Sequence, residues 1–217
     1  MAVRGTLVWL CSLTVLFSFA SQEETEPPKC NSQDAYTSLS NDLRGVLECG
    51  DSALSQWSSQ EKAAVLLSMK TLTDTLHKHQ LDECRGAEPQ KCPEPEVPEN
   101  GGLACATVND KRYCKPLCNY GYDFGFIRTS RLFEECSLET GYRWQTQYIG
   151  GNKLAVCNRE QISSVSGARS AYFPENQDCL ATKSNGTLQD SIIEVLKTEL
   201  KSRGVQGEAQ SACLVCG

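Results

Sequence analysis

Cysteine parity constrains this chain more than any other feature. The sequence carries 13 cysteines in 217 residues. Cys11 lies in an apolar run, Leu7 to Phe19, that follows the single charge Arg4 and ends at Ser18-Phe19-Ala20. A short apolar run closed by a small-x-small site has the form of a secretory signal peptide, residues 1–20, cut after Ala20. Removing Cys11 from the 13 leaves 12. An even number in an oxidising compartment predicts six disulfides. Cys92, Cys105, Cys114, Cys118, Cys136 and Cys157 form a central group. Cys30, Cys49 and Cys84 precede it, and Cys179, Cys213 and Cys216 follow it. Three cysteines cannot pair among themselves. If the central group closes internally and no bond goes to another chain, at least one bridge must join Cys30, Cys49 or Cys84 to Cys179, Cys213 or Cys216.

Composition narrows the function. The formal charge is −6, and loss of Arg4 makes it −7. Nucleic-acid binding, which needs a basic patch, is not expected. After the signal no stretch has the roughly 18 apolar residues of a membrane span. The chain is therefore expected to be secreted, with no integral membrane segment. No cofactor and no metal are expected. The two histidines, His77 and His79, would point about 200° apart on a helix and could not share an ion. They read as surface residues. No Gly-x-Ser-x-Gly elbow occurs, and an even cysteine count leaves no spare thiol nucleophile. Glu134-Glu135 reads as solvated charge. The chain is not expected to be an enzyme.

Residues 21–29 are polar, acidic and proline-ended, and read as a disordered leader. A helical hairpin is expected over 30–84. Ala35, Tyr36, Leu39, Leu43, Val46 and Leu47 form the first apolar face, capped at Asn31 or Ser32 and stopped by Gly50. Ser58-Ser59-Gln60-Glu61 is a capping box opening a second helix, whose stripe is Val65, Met69, Leu72 and Leu76. Residues 92–157 mix β-formers with turn signals, the strongest being Asn100-Gly101-Gly102 and Gly150-Gly151-Asn152. Asn158 to Gln177 reads as a long loop. A third helix starts at Thr187, its apolar face interrupted by Glu199 and stopped by Gly204. A polar tail, Val205 to Ser211, then leads to Cys213. Cys213-x-x-Cys216 has redox-motif spacing, but its place after a polar tail points to structural pairing. Asn185-Gly186-Thr187 is a glycosylation sequon, so Asn185 is expected to carry a glycan. Cys105 and Cys114, with eight residues between them, are expected to close a local loop.

The central residues resemble a known family. Cys92-Pro-Glu-Pro with Asn100-Gly101, Cys118-Asn-Tyr-Gly-Tyr-Asp-Phe-Gly125, Cys136, and Gly141-Tyr-Arg-Trp144 ahead of Cys157 resemble a sushi, or complement control protein, module. The resemblance implies a small elongated β module with Trp144 buried against its disulfides. It also implies the pairs Cys92–Cys136 and Cys118–Cys157.

A continuous helix between Cys30 and Cys49 would be about 27 Å long, too far for those two to bond. The expected architecture is therefore α+β and disulfide-rich. Helices of 30–84 and 179–217 form a stapled three-helix domain, with Cys213 or Cys216 near Cys49. The sushi-like module is inserted between them. The function expected is non-catalytic recognition of an extracellular protein ligand, as the family resemblance implies. Exposed residues of the module, Arg112, Tyr113, Tyr120, Phe126, Arg128 and Arg131, would make the contacts. The alternative is a secreted helical ligand or a saposin-like lipid-binding protein.

Overall fold

A computed structural model describes residues 31–146, 148, 151–159 and 166–217. The signal peptide, the leader and Cys30 lie outside these residues, as does Gly150 of the second turn signal. The chain divides into two units, up to Lys62 and from Ala63.

Helix α1 (Ser32–Leu54) belongs to the first unit. Asn31 caps it, its side chain accepting from the Gln33 N–H at 3.2 Å. Gly50 interrupts it at φ 53°, ψ −141°, a left-handed conformation that glycine adopts without a Cβ penalty. Helix α2 (Ser59–Asp82) opens on the Ser58–Glu61 box. The Ser58 N–H donates to Glu61 Oε2 at 2.7 Å, and the Glu61 N–H donates to Ser58 Oγ at 3.2 Å. The Ser58 hydroxyl, which donates to Glu61 Oε2 at 2.7 Å, and then the Ser58 N–H hold the Glu61 carboxyl below its ordinary pKa. Neither helix contains a buried residue.

The second unit is built on a four-stranded antiparallel sheet in the order β4-β2-β1-β6. Its strands are β1 (Gly101–Val108), β2 (Lys111–Cys118), β4 (Glu134–Cys136) and β6 (Gln210–Cys216). A smaller pair joins β3 (Tyr122–Phe124) to β5 (Cys157–Arg159). Helices α3 (Cys179–Lys183) and α4 (Gly186–Ser202) follow.

Side chains alternate across a strand, and here both faces are covered. Ala104, Ala106, Val108, Tyr113, Leu117, Leu214 and Cys216 meet Leu196 and Leu200 of α4 and Phe173 on one face. Leu103, Cys105, Cys114, Cys213 and Val215 meet Trp144, Leu154 and Cys84 on the other. The small Ala104 and Ala106 let the helix approach β1. This arrangement corrects the expected three-helix domain. Helix α4 packs on the sheet, and the segment read as a polar tail enters β6, which pairs with β1. Residues 92–157 therefore do not close their main sheet alone.

Five disulfides pin the second unit. Cys92–Cys136, Cys105–Cys114 and Cys118–Cys157 lie within the central stretch, and Cys84–Cys213 joins the segments on either side of it. Cys179–Cys216 ties α3 to β6. The expected six are thus five among the described residues. Cys49 is exposed and unpaired, and Cys213 and Cys216 are bonded elsewhere rather than available to it.

Asn100-Gly101-Gly102 is more than a turn. Asn100 has φ 59°, but both glycines lie in the buried central strand. A Cβ on Gly102 would stand 2.5 Å from Cys179 Sγ and 2.8 Å from the Val215 carbonyl oxygen. Gly102→Ala is expected to lower stability by about 1–3 kcal/mol, the range for overpacking a closed interior. A urea titration should show a lower midpoint at unchanged slope.

Candidate interaction surface

Of the six residues expected to contact a partner, three are interior. Arg112, Tyr113 and Arg128 are 5%, 3% and 3% exposed. The physical reason for the first two is that β2 is covered on both faces. Tyr113 packs edge-on against Phe133 at 5.6 Å. Burial raises its phenol pKa, with Glu135 adding to the effect. Arg112 faces the opposite core, where its guanidinium donates to the Ser211 carbonyl at 2.8 Å and to Thr107 Oγ1 at 3.2 Å.

Arg128 is buried because it clamps a loop. Its Nη1 donates to Glu134 Oε1 at 2.7 Å and to the Leu154 carbonyl at 3.0 Å. Its Nη2 donates to the Arg131 carbonyl at 3.3 Å, and its guanidinium lies over the Phe124 ring at 5.7 Å. Arg131, half-exposed, donates to the other oxygen of Glu134 and to the Gln145 carbonyl, both at 2.6 Å. Glu134 thus accepts from two arginines while its own side chain is 1% exposed. Below this clamp, Asp123 accepts from the Ser166 N–H, the Phe124 N–H and the Tyr172 hydroxyl.

The clamped segment leads with two exposed apolar side chains. Phe126 is 53% exposed and Ile127 is 76% exposed. Phe126 stands edge-on to Tyr148, centroids 5.2 Å apart. Tyr148, its phenol pKa raised by burial, also lines a cleft of about 350 Å³ with Pro93, Arg143, Trp144 and Thr146. Trp144 donates its ring N–H to the Pro93 carbonyl at 2.8 Å. Tyr120 is exposed at the separate Asn119–Tyr122 turn. Ile127 was not among the sequence candidates. Its signal is a bulky apolar pair, Phe-Ile, directly before an arginine whose burial only the fold reveals.

The other sequence candidates have plain positions. Asn185 is exposed and caps α4, its Oδ1 accepting from the Thr187 and Leu188 N–H groups at 3.1 and 3.4 Å. The helix therefore starts at Gly186, one residue before the expected Thr187, and the Asn185 amide nitrogen that would carry a glycan takes no part in the cap. His77 is half-buried, with Nδ1 3.0 Å from Gln80 Nε2, and His79 is exposed. Among the described residues no group of three or more His, Cys, Asp or Glu is placed to hold a metal. No described helix is long and apolar enough to cross a membrane.

The fold and its five bridges define a disulfide-rich α+β protein. No family model matches the chain, and neither a curated protein nor a solved structure does.

Proposed function

We propose that this chain is a secreted, non-catalytic recognition protein that binds an extracellular protein through the 125–131 loop and the adjoining Tyr148–Trp144 cleft. The observation that carries this reading is the Phe126–Ile127 pair, exposed to solvent yet set on a buried ionic clamp. Apolar side chains held rigidly in water carry a large share of binding energy when a partner covers them. The five disulfides support an oxidising compartment. A sushi-like character for residues 92–157 is supported by the pairs Cys92–Cys136 and Cys118–Cys157 and by Trp144 packed near Cys136. The sheet departs from a self-contained module because β6 borders β1.

The test uses the secreted full chain against an array of purified ectodomains, with phosphatidylserine vesicles as a parallel arm. Replacing Phe126 and Ile127 with serine should weaken any captured ectodomain about tenfold or more, the scale of losing a central apolar anchor. Circular dichroism should be unchanged, because both side chains are exposed. Vesicle binding without ectodomain binding would favour the saposin-like alternative. Full ectodomain affinity in the double variant would remove the loop from the interface.

A further inference from the structure

Arg112 is a buried cation with an unusual neighbour. Among the described residues no carboxylate lies within hydrogen-bonding distance of it, and its donors reach a hydroxyl, two carbonyls and one sulfur. That sulfur is Cys213 Sγ, 3.2 Å from Nη2. Burial lowers the Arg112 pKa to about 10, so the side chain still carries its charge at neutral pH. Glu94, which lines the same cleft as Arg112, opposes that shift through its charge, but it makes no hydrogen bond to the guanidinium among the bonds described, and part of the cost of the buried charge falls beside a disulfide.

The other cysteine of the bond is placed differently. Cys84 lines a cleft of about 80 Å³ with Leu81, Arg85, Glu94, Val97 and Arg112, whereas Cys213 is not part of that lining. Both cysteines are nearly buried, at 8% and 7% exposed, but Cys84 is the one of the pair that borders the cleft, and the guanidinium that also lines it lies against Cys213 Sγ.

We propose that Cys84–Cys213 is a thiol-exchange site, opened by a low-molecular-weight thiol that attacks Cys84 Sγ and expels Cys213 as a thiolate held by Arg112. In the first step the external thiolate forms an S–S bond to Cys84. The Cys84–Cys213 bond breaks, and its electron pair leaves on Cys213 Sγ. A second thiolate attacks the sulfur of the bound external thiol and frees Cys84, which takes a proton from water. Two external thiols are oxidised to their disulfide, and one protein disulfide is reduced to two cysteines. A better-stabilised leaving thiolate departs faster, which is the contribution of a fixed guanidinium. Of the ten bonded cysteines, only Cys213 has an arginine nitrogen within hydrogen-bonding distance of its sulfur among the bonds described. Opening this bond would leave the end of α2 held to β6 through Gln80, which donates to the Cys216 carbonyl at 2.6 Å and accepts from the Cys216 N–H at 3.1 Å.

The experiment exposes the purified full chain to reduced glutathione for graded times, quenches with a maleimide and maps the labelled cysteines by peptide mass spectrometry. Cys84 and Cys213 should be labelled first, about tenfold faster than any other bonded cysteine, as expected for a stabilised leaving group. Arg112→Lys should keep that lead, and Arg112→Gln should reduce it about tenfold. Should Arg112→Gln fail to fold, the labelling order in the unaltered chain decides alone. Earlier opening of any other pair would overturn the proposal, and so would an undiminished lead in a folded Arg112→Gln protein.

Discussion

Glu134→Ala is expected to lower stability by about 3–5 kcal/mol, because it leaves Arg128 charged, buried and without its carboxylate. The side chains of Arg128 and Glu134 are 3% and 1% exposed, so water cannot take the place of the lost carboxylate. Arg131 contributes less. Its side chain is 36% exposed, and an ion pair open to solvent is worth about 0–1 kcal/mol. Arg131→Ala should therefore shift the urea midpoint much less than Glu134→Ala. The two variants also separate stability from recognition. Glu134 fixes the Arg128 side chain, and Arg128 fixes the segment that carries Phe126 and Ile127. Loss of Glu134 should weaken partner binding even where the protein remains folded. A Glu134→Ala protein within about 1 kcal/mol of the parent would show that the clamp is not electrostatic in origin.

The helical part of the fold was legible because its signals are local. Asn31, the Ser58–Glu61 box and Gly50 act within four residues of where they stand, and each does in the structure what its chemistry implies. The sheet was less legible. Cys213-Leu-Val-Cys216 is a short apolar run, and four residues cannot show whether they form a strand buried on both faces. The polar residues before it read as a tail, yet Gln210 already pairs with Thr107. The candidate surface was obscured for a related reason. Arginine is ordinarily an exposed residue, and Glu134-Glu135 reads as solvated charge, although Glu134 is the buried partner of Arg128 six residues before it. Arg112 finds the Ser211 carbonyl 99 residues away. Exposure, by contrast, was read correctly for Tyr120 and Phe126, which lie in turns rather than in the covered strands.

Glu199 presents the same problem from the helix side, and it yields the second large expected effect. In sequence it interrupts the apolar face of α4. In the structure its Oε2 accepts from Lys115 Nζ at 2.6 Å, and Ser170 Oγ donates to its other oxygen. The Lys115 side chain is 0% exposed and lies between the sheet and α4. Burial lowers the Lys115 pKa, and Glu199 opposes that shift. Glu199→Ala should therefore cost about 3–5 kcal/mol by stranding a buried ammonium. The pH dependence follows in sign. A lysine whose folded pKa lies below its unfolded value binds fewer protons when folded, so stability rises with pH between the two. Removing Glu199 removes the group that holds the pKa up, which widens that window on its lower side. Urea midpoints of Glu199→Ala should accordingly climb with pH on the alkaline side more steeply than those of the parent. Replacing both partners, Lys115→Met with Glu199→Leu, removes the charge along with its counter-ion and should cost far less than the single change. A double-mutant cycle measures the difference directly. If the double variant is no more stable than Glu199→Ala alone, the loss comes from packing around α4 rather than from the buried charge.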